Sequence, residues 1–332
     1  MTVKRRRTAV ARAVGLVLAA VLFSGAAPVN IPEESPACSI AWGTFVSGDP
    51  AGGMAETSGV DGTLGRHSQI VHMYTQWGTS WGSFDSNQPL FDRIHNYSSA
   101  GVTGATPLLT WEPWGPNFSL TPAEFPLTSI AGGRYDDYID SWAKGLRGLG
   151  YPVLLDFAHE MNGNWYPWAY GVNDNTPHQY IAAYRHVHQR FIRAGATNVR
   201  FVWNPDNWSP SGISVAAFYP GHRYVDWMAI DAYNWDTSWD MPYTQLQTVY
   251  SQMTALNGRK PVMLAEVASQ SLAPAGATPV DKAAWITALF QTLPMSFPQI
   301  RAVVWFNAAN TEFDITSPPA VLAAAQTALQ PC

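Results

Sequence analysis

The sequence predicts a single (β/α)₈ barrel, and its length, its alternating pattern and the ends of its apolar runs all favour that fold class. The chain has 332 residues, a length that one such barrel often needs. Eight short apolar runs, most of them rich in β-branched or aromatic residues, are predicted as buried strands. They are 40–46, 69–74, 105–111, 152–159, 199–203, 227–233, 261–267 and 302–306. Eight buried strands alternating with helices are typical of a closed parallel barrel.

Helix-like segments separate most of the predicted strands. The clearest are 134–150, 177–194, 243–256, 280–293 and 319–329. Pro177 stands in the first turn of one segment, Gly195 closes that same segment, and Gly150 closes another, as is typical of helix termini. A doubly wound open sheet is the competing architecture, but no glycine-rich phosphate-binding loop follows any predicted strand. We find no linker, low-complexity tract or internal repeat after residue 37, so we expect one domain over 38–332.

The composition excludes two classes of protein. Hydrophobic residues make up 47% of the chain and charged residues only 13%, so the chain buries enough apolar surface to escape intrinsic disorder. Five of the 19 basic residues lie within the first dozen positions. Without them, 14 basic residues face 24 acidic ones, a net charge of −10. The chain that follows these first residues is therefore too acidic to have the basic surface of a nucleic-acid-binding protein.

The N-terminus is predicted to be a secretion signal. A basic stretch at 4–7 precedes an apolar run at 13–23, and the small residues 24–27 then offer a cleavage site. We therefore expect a signal peptide over 1–27, a short linker over 28–37, and an exported protein with no membrane association once the signal is removed. An uncleaved amphipathic anchor is the alternative.

Two cysteines, Cys38 and Cys332, lie at the two ends of the predicted mature chain. In an oxidising compartment an even pair is more often a disulfide than two thiols. A bond between the two ends fits a barrel, whose first strand and last helix are neighbours. Two unpaired thiols are the alternative, because a sequence does not tell whether the Cβ atoms meet.

Seven predicted strands end in polar or aromatic clusters, at 74–77, 111–114, 159–162, 203–208, 233–235, 266–269 and 305–307. In a barrel, the C-terminal ends of all strands face the same side and build one cleft. Each cluster alone has a structural explanation, since Trp and Asn often close loops. Together they predict a broad aromatic cleft suited to a sugar polymer. The candidate substrate-binding residues from these clusters are Trp111, Glu112, Trp203, Asn204 and Trp235.

Three of the clusters contain a glutamate, and two of these are the candidate catalytic pair: Glu160 after the fourth strand and Glu266 in the seventh. Period-2 alternation predicts that Asp156, Ala158 and Glu160 share one face of the fourth strand. It likewise predicts that Val262, Leu264 and Glu266 share one face of the seventh. Both carboxyl groups would then project into the barrel mouth, ~5–6 Å apart if the pair cleaves glycosides with retention. A surface ion pair is the alternative for either glutamate alone.

The segment 159–168, with the sequence HEMNGNWYPW, resembles the acid/base motif of glycoside hydrolase family 26. Segments 202–205, 224–235 and 260–266 resemble the fifth, sixth and seventh strands of that family. The resemblance covers roughly residues 40–330. It implies a retaining endo-glycosidase that acts on a β-linked polysaccharide. Mannan cleaved at β-1,4 bonds is the best-known substrate, and mixed-linkage β-glucan and β-1,3-xylan are alternatives within the family.

The resemblance also assigns roles to individual residues. It implies Glu160 as acid/base, Glu266 as nucleophile, His159 as a neighbour lining the site, Tyr233 as hydroxyl donor to the nucleophile, and Trp165 and Trp305 as sugar-contacting rings. Glu112 is a third carboxylate, for which a structural or substrate-orienting role is favoured over catalysis.

One position departs from the family pattern, because Asp156 stands where the family usually has arginine. A non-catalytic polysaccharide-binding barrel is therefore the rival interpretation, although both glutamates are retained. His159 and Glu160 resemble the start of a zinc-protease motif, but Gly163 occupies the next ligand position. We expect a monomer without metal or cofactor.

Overall fold

The computed structural model describes residues 40–235, 239–308 and 311–330. Eight parallel strands close a barrel, which confirms the predicted fold class. The strands are β1 (Ala41–Val46), β2 (Ile70–Gln76), β3 (Thr106–Glu112), β4 (Val153–Phe157), β5 (Val199–Trp203), β6 (Trp227–Asn234), β7 (Val262–Ser269) and β8 (Ile300–Asn307). Each pairs with its sequence neighbours, and β1 closes the barrel on β8.

Helices surround the barrel. They are α1 (Ala55–Leu64), α2 (Phe84–His95), α3 (Leu127–Ala131), α4 (Asp136–Leu149), α5 (Pro177–Ala194), α6 (Pro242–Leu256), α7 (Lys282–Ser296) and α8 (Pro319–Ala328). A two-residue hairpin pairs 98–99 with 102–103. None of the helices in the described part of the chain has the length and apolar character needed to cross a membrane.

All five helix-like segments predicted from the sequence form helices, with ends displaced by at most three residues, and α5 has the predicted bounds. α5 starts at Pro177 behind a capping box, in which Thr176 and Gln179 satisfy each other's backbone N–H groups. It ends at Gly195, whose φ of 74° is the left-handed conformation that glycine adopts without cost. The sequence did not reveal α1, because Gly59 and Gly62 give this segment poor helix propensity.

The lower barrel interior is filled by apolar side chains. They are Ala41, Ile70, Leu108, Leu154, Val202, Trp227, Ala229, Met263, Ala265, Ala302 and Val304. Trp227 is the largest of these side chains, and the alanines in the same cluster leave room for it. At Gly43, a Cβ atom would lie 2.7 Å from the carbonyl oxygen of Ile70, so the close approach of β1 to β2 requires glycine. This apolar floor supports a polar layer above it.

Several predictions concern residues outside the described ranges. The signal peptide over 1–27, the linker over 28–37, and both Cys38 and Cys332 lie there.

Candidate active site

The C-terminal ends of the strands open into one cleft with a volume of about 1540 Å³. Glu160 and Glu266 both line it, so the fold brings the two predicted carboxyl groups together. Both are almost fully buried, with about 5% of each residue exposed.

Glu160 reaches the cleft from a turn and not from a strand. β4 ends at Phe157, two residues before the predicted end, and both Ala158 (φ 53°) and Glu160 (φ 50°) adopt the left-handed conformation. Ala158 packs in the apolar layer outside the barrel, whereas Asp156 faces the interior. The predicted alternation through Glu160 is therefore wrong. The Glu160 N–H donates to the carbonyl of Asn204 at 2.7 Å, which fixes the turn against β5.

Glu266 reaches the cleft because β7 contains a bulge. Opposite β6, Leu264 pairs with Ile230 and Glu266 pairs with Asp231, so Ala265 is an extra residue. Leu264 packs outside the barrel, whereas Ala265 packs inside it. The prediction that Leu264 and Glu266 share a face is therefore wrong, and the inserted residue is what turns Glu266 inward.

Two tyrosines hold the Glu266 carboxylate. Tyr233 donates to Oε2 and Tyr74 donates to Oε1, each at 2.5 Å. Burial raises the pKa of Glu266, and the two hydroxyl groups act against that rise. The Nε2 atom of His159 lies 3.9 Å from Oε1, and burial lowers the pKa of this histidine to about 3, so the ring is neutral at neutral pH. Glu266 is thus held by neutral donors.

Glu160 has a different environment. Trp165 Nε1 donates to its Oε2 at 2.5 Å. Its carboxyl group also hydrogen-bonds that of Asp206. Asn162 holds Asp206 in place through two hydrogen bonds of 2.9 Å: the Asp206 N–H donates to Asn162 Oδ1, and Asn162 Nδ2 donates to the Asp206 carbonyl. Burial, then Asp206, then Glu266 raise the pKa of Glu160 well above its usual value. A proton on Glu160, shared with Asp206, follows from this arrangement.

A further pair of acids lies below the two glutamates. Asn204 Nδ2 donates to Asp156 Oδ2 at 2.9 Å and to Asp231 Oδ2 at 2.8 Å. All three residues are fully buried, and burial raises the pKa of both aspartates well above the usual value. Asp156 is therefore accommodated as a neutral acid. Asn204, predicted to contact substrate, is a buried bridge between these acids.

Glu112 lines the cleft at the end of β3 and accepts a hydrogen bond from Gln76 Nε2. Burial raises its pKa to about 7. Among the residues that the structure describes, no lysine or arginine side chain lines the cleft. A negatively charged ligand would therefore meet carboxyl groups without a compensating cation.

Three predicted sugar-contacting tryptophans lie elsewhere. Trp111, Trp203 and Trp305 are fully buried outside the ring of strands: Trp111 packs against Trp142 of α4, Trp203 against Tyr219, and Trp305 against Trp285 of α7. These three predictions are wrong, because successive residues of a strand point to opposite faces and the inward positions fall on their neighbours. His159 is likewise buried beneath the cleft and contacts Glu266, with no surface left for substrate.

The rings that do line the cleft include two predicted ones, Trp165 and Trp235, with Tyr233 below them. Sequence reasoning missed others, which are Tyr74, Trp114, Phe118, Tyr166, Trp208, Phe306 and Phe313. Most of them lie in or within a few residues of the aromatic clusters at the strand ends, which was the available signal.

One group of side chains has the spacing of a metal site. Donor atoms of His159, Asp231 and Glu266 all lie within 4.8 Å of one another. Both oxygens of Glu266 already accept tyrosine hydroxyl hydrogens, and Asp231 is held by Asn204. We therefore assign no metal to these residues.

The sequence profile described as glycosyl hydrolase family 26 matches residues 129–307 of this chain. Among curated relatives, Endoglucanase H of Acetivibrio thermocellus is 35% identical over 80% of this chain and 28% of its own length. Mannan endo-1,4-beta-mannosidase A and B of Caldalkalibacillus mannanilyticus is 36% identical over 62% of this chain and 36% of its own length. The chain thus spans about a third of these relatives. Among solved structures, the Bacillus subtilis mannanase man26 has a TM-score of 0.63 at 22% identity, covering 89% of this chain and 87% of its own, and supports the fold.

Proposed function

The chain belongs to glycosyl hydrolase family 26, and from that membership we propose that it is a retaining endo-glycosidase whose substrate is β-1,4-mannan. The observation that carries the proposal is the difference between two carboxyl groups in one cleft. Glu160 contacts another acid, which favours its protonated form, whereas Glu266 accepts hydrogen bonds from two tyrosines, which favour its ionised form. Two acids with opposite environments supply one proton donor and one nucleophile.

In the proposed reaction, an oxygen of Glu266 forms a bond to the anomeric carbon while the glycosidic carbon–oxygen bond breaks. The proton of Glu160 passes to the departing oxygen. In the second step Glu160, now ionised, removes a proton from water, and the resulting nucleophile displaces Glu266 from the sugar. Two displacements on opposite faces retain the anomeric configuration.

The cleft supports a neutral polysaccharide. Its rings offer flat surfaces to the C–H faces of sugars, and its carboxyl and amide groups match sugar hydroxyls. A uronic acid polymer would find no lysine or arginine among the described residues of this cleft to balance its charge. Mannan is named first because a curated relative at 36% identity is a mannan endo-1,4-beta-mannosidase.

Mixed-linkage β-glucan is the second candidate substrate. Endoglucanase H matches 80% of this chain, against 62% for the mannosidase. Asp156, which departs from the arginine of the family pattern, changes the charge beneath the two glutamates, and this is consistent with a different sugar above them.

The test is reducing-sugar release from mannan, lichenan and β-1,3-xylan by the wild-type protein and by the Glu266→Ala variant. We expect release from mannan by the wild type alone. Release from lichenan only would replace mannan by the second candidate. Binding of a polysaccharide by both proteins with no release would instead identify the chain as a non-catalytic polysaccharide-binding barrel.

We also propose that residues 1–27 direct export and that Cys38 and Cys332 are bonded in a monomeric mature protein. The support is the order of basic, apolar and small residues at the N-terminus and the even number of cysteines. Intact mass spectrometry of the exported protein tests both points, since cleavage removes 27 residues and a disulfide removes two hydrogens. An unchanged mass after thiol alkylation supports the bond, and addition of two alkyl groups contradicts it.

A further inference from the structure

The cleft continues beyond the barrel mouth as a groove beside α6. One wall is formed by the segment 207–215, which follows β5, and the other by Thr244, Thr248 and Gln252 of α6. These three residues are spaced four apart and so lie along one face of the helix. At 1.5 Å per residue they line about 12 Å of groove.

Hydrogen bonds hold the two walls of the groove together at both ends. At the far end, Gln252 Oε1 accepts from Ser214 Oγ at 2.6 Å and from the Val215 N–H at 2.9 Å. At the end near the barrel mouth, Asn207 Nδ2 donates to the carbonyl of Gln245 at 3.3 Å. The groove is therefore a fixed feature between two tied elements.

Two stacked tryptophans connect the groove to Glu160. Trp165 donates to Glu160, and the ring of Trp208 lies nearly parallel to it, with 6.2 Å between ring centres and 14° between planes. Trp208 is 62% exposed although it lines the cleft, so its ring is free to contact a ligand. Two aromatic rings thus connect Glu160 with the groove.

In the function proposed above, on which this inference rests, Glu160 protonates the departing oxygen. The departing part of the polysaccharide must therefore lie on the Glu160 side of the cleft, where Trp208 and the groove are. We propose that the groove beside α6 binds the departing, reducing-end part of the polysaccharide chain. Its lining suits a neutral saccharide, because it combines an exposed indole ring with hydroxyl and amide groups and includes no lysine or arginine among the described residues.

The test fills the groove without altering the two glutamates. Thr248 is exposed on the groove wall, so Thr248→Trp places a bulky ring in the groove. Ser251→Trp is the matched control, because Ser251 is an exposed residue of the same helix that does not line the cleft. Both variants are assayed on whichever polysaccharide the wild type cleaves, and on a dinitrophenyl glycoside of the same sugar, whose departing group is too short to enter the groove.

We expect Thr248→Trp to lower kcat/KM on the polysaccharide roughly tenfold, with most of the change in KM, and to leave the dinitrophenyl glycoside unaffected. Ser251→Trp should match the wild type on both substrates. Equal loss on both substrates, or a Thr248→Trp variant that equals Ser251→Trp, would overturn the groove assignment. A wild-type protein that cleaves neither substrate would instead overturn the proposed function on which the assignment rests.

Discussion

Replacement of Asp206 by asparagine changes the charge beside Glu160 while keeping the shape of the side chain. In the wild type, the Asp206 carboxylate accepts the Glu160 proton in a hydrogen bond and so favours the protonated form. An asparagine amide would donate to the Glu160 carboxylate and favour the ionised form. The acid would then lose its proton at a lower pH than in the wild type.

Coulomb's law gives the order of magnitude for two carboxyl groups in contact. Two unit charges 4 Å apart interact by about 4 kcal/mol at an effective dielectric constant of 20, which equals roughly 3 pKa units. Burial raises the pKa of Asp206 itself to about 7, so near neutral pH only about half of these groups carry the charge. The remaining acids that face Glu160, namely Glu266 and Asp231, are unchanged in the variant. We therefore expect the alkaline limb of kcat/KM to fall by about 1.5 pH units.

The assay is the pH dependence of kcat/KM on polysaccharide, measured for wild type, Asp206→Asn and the control Glu112→Gln. The control removes another buried carboxyl group of the cleft that makes no hydrogen bond to Glu160. A dinitrophenyl glycoside provides the second readout, because its departing group needs little protonation. On that substrate the displaced alkaline limb should disappear.

Two results would refute this reasoning. If Asp206→Asn leaves the alkaline limb where the wild type has it, the two carboxyl groups do not share a proton in solution. If Glu112→Gln moves the limb as far as Asp206→Asn does, the shift reflects the total charge of the cleft and not the contact with Glu160.

Three further predictions concern single side chains. Glu160→Ala should lose ~10²–10⁴-fold in activity on polysaccharide. On a dinitrophenyl glycoside, whose departing group needs little protonation, azide should rescue this variant by forming a glycosyl azide of retained configuration, detected by NMR; an inverted product would contradict the assigned roles. Tyr74→Phe and Tyr233→Phe each remove one hydrogen bond to the charged Glu266, which is worth about 1.5–3 kcal/mol. Each variant should therefore lower kcat roughly 10- to 150-fold. Steady-state kinetics that show no loss would exclude these hydroxyl groups from catalysis. Trp111→Ala should lower the free energy of unfolding by about 3–5 kcal/mol, measured by denaturant titration, with KM unchanged in the surviving folded protein; a raised KM would return this ring to the substrate.

The sequence was sufficient to predict the barrel, because alternation of short apolar runs with capped helices depends on local signals. Strand β5 and helix α5 have the bounds that were predicted for them. Local signals did not fix the faces of the strands near their ends. A shift of one residue exchanges the two faces of a strand. That is why Trp305 was assigned to the cleft when its neighbour Phe306 lines it.

The partners of the two glutamates were beyond the reach of the sequence for a different reason. Tyr74 contacts Glu266 across 192 positions of chain, and neither residue type indicates the other. Asp206 meets Glu160 because Asn162 clamps the loop after β5, which is a tertiary contact. The extra residue in β7 had no signal either, since Ala265 fits an ordinary strand as well as a bulge.

The bridged pair Asp156 and Asp231 has a consequence for the stability of the whole protein. Their pKa values are higher in the folded chain than in the unfolded one, so folding takes up protons once the pH exceeds about 4, the ordinary value for aspartate. In that window the unfolded chain binds fewer protons, and stability falls as the pH rises toward the folded-state values. The protein therefore maintains its polar layer against a penalty that grows from acid to neutral conditions. Asp156→Asn, which removes one of these titrating groups while keeping its shape, should flatten the dependence of the melting temperature on pH.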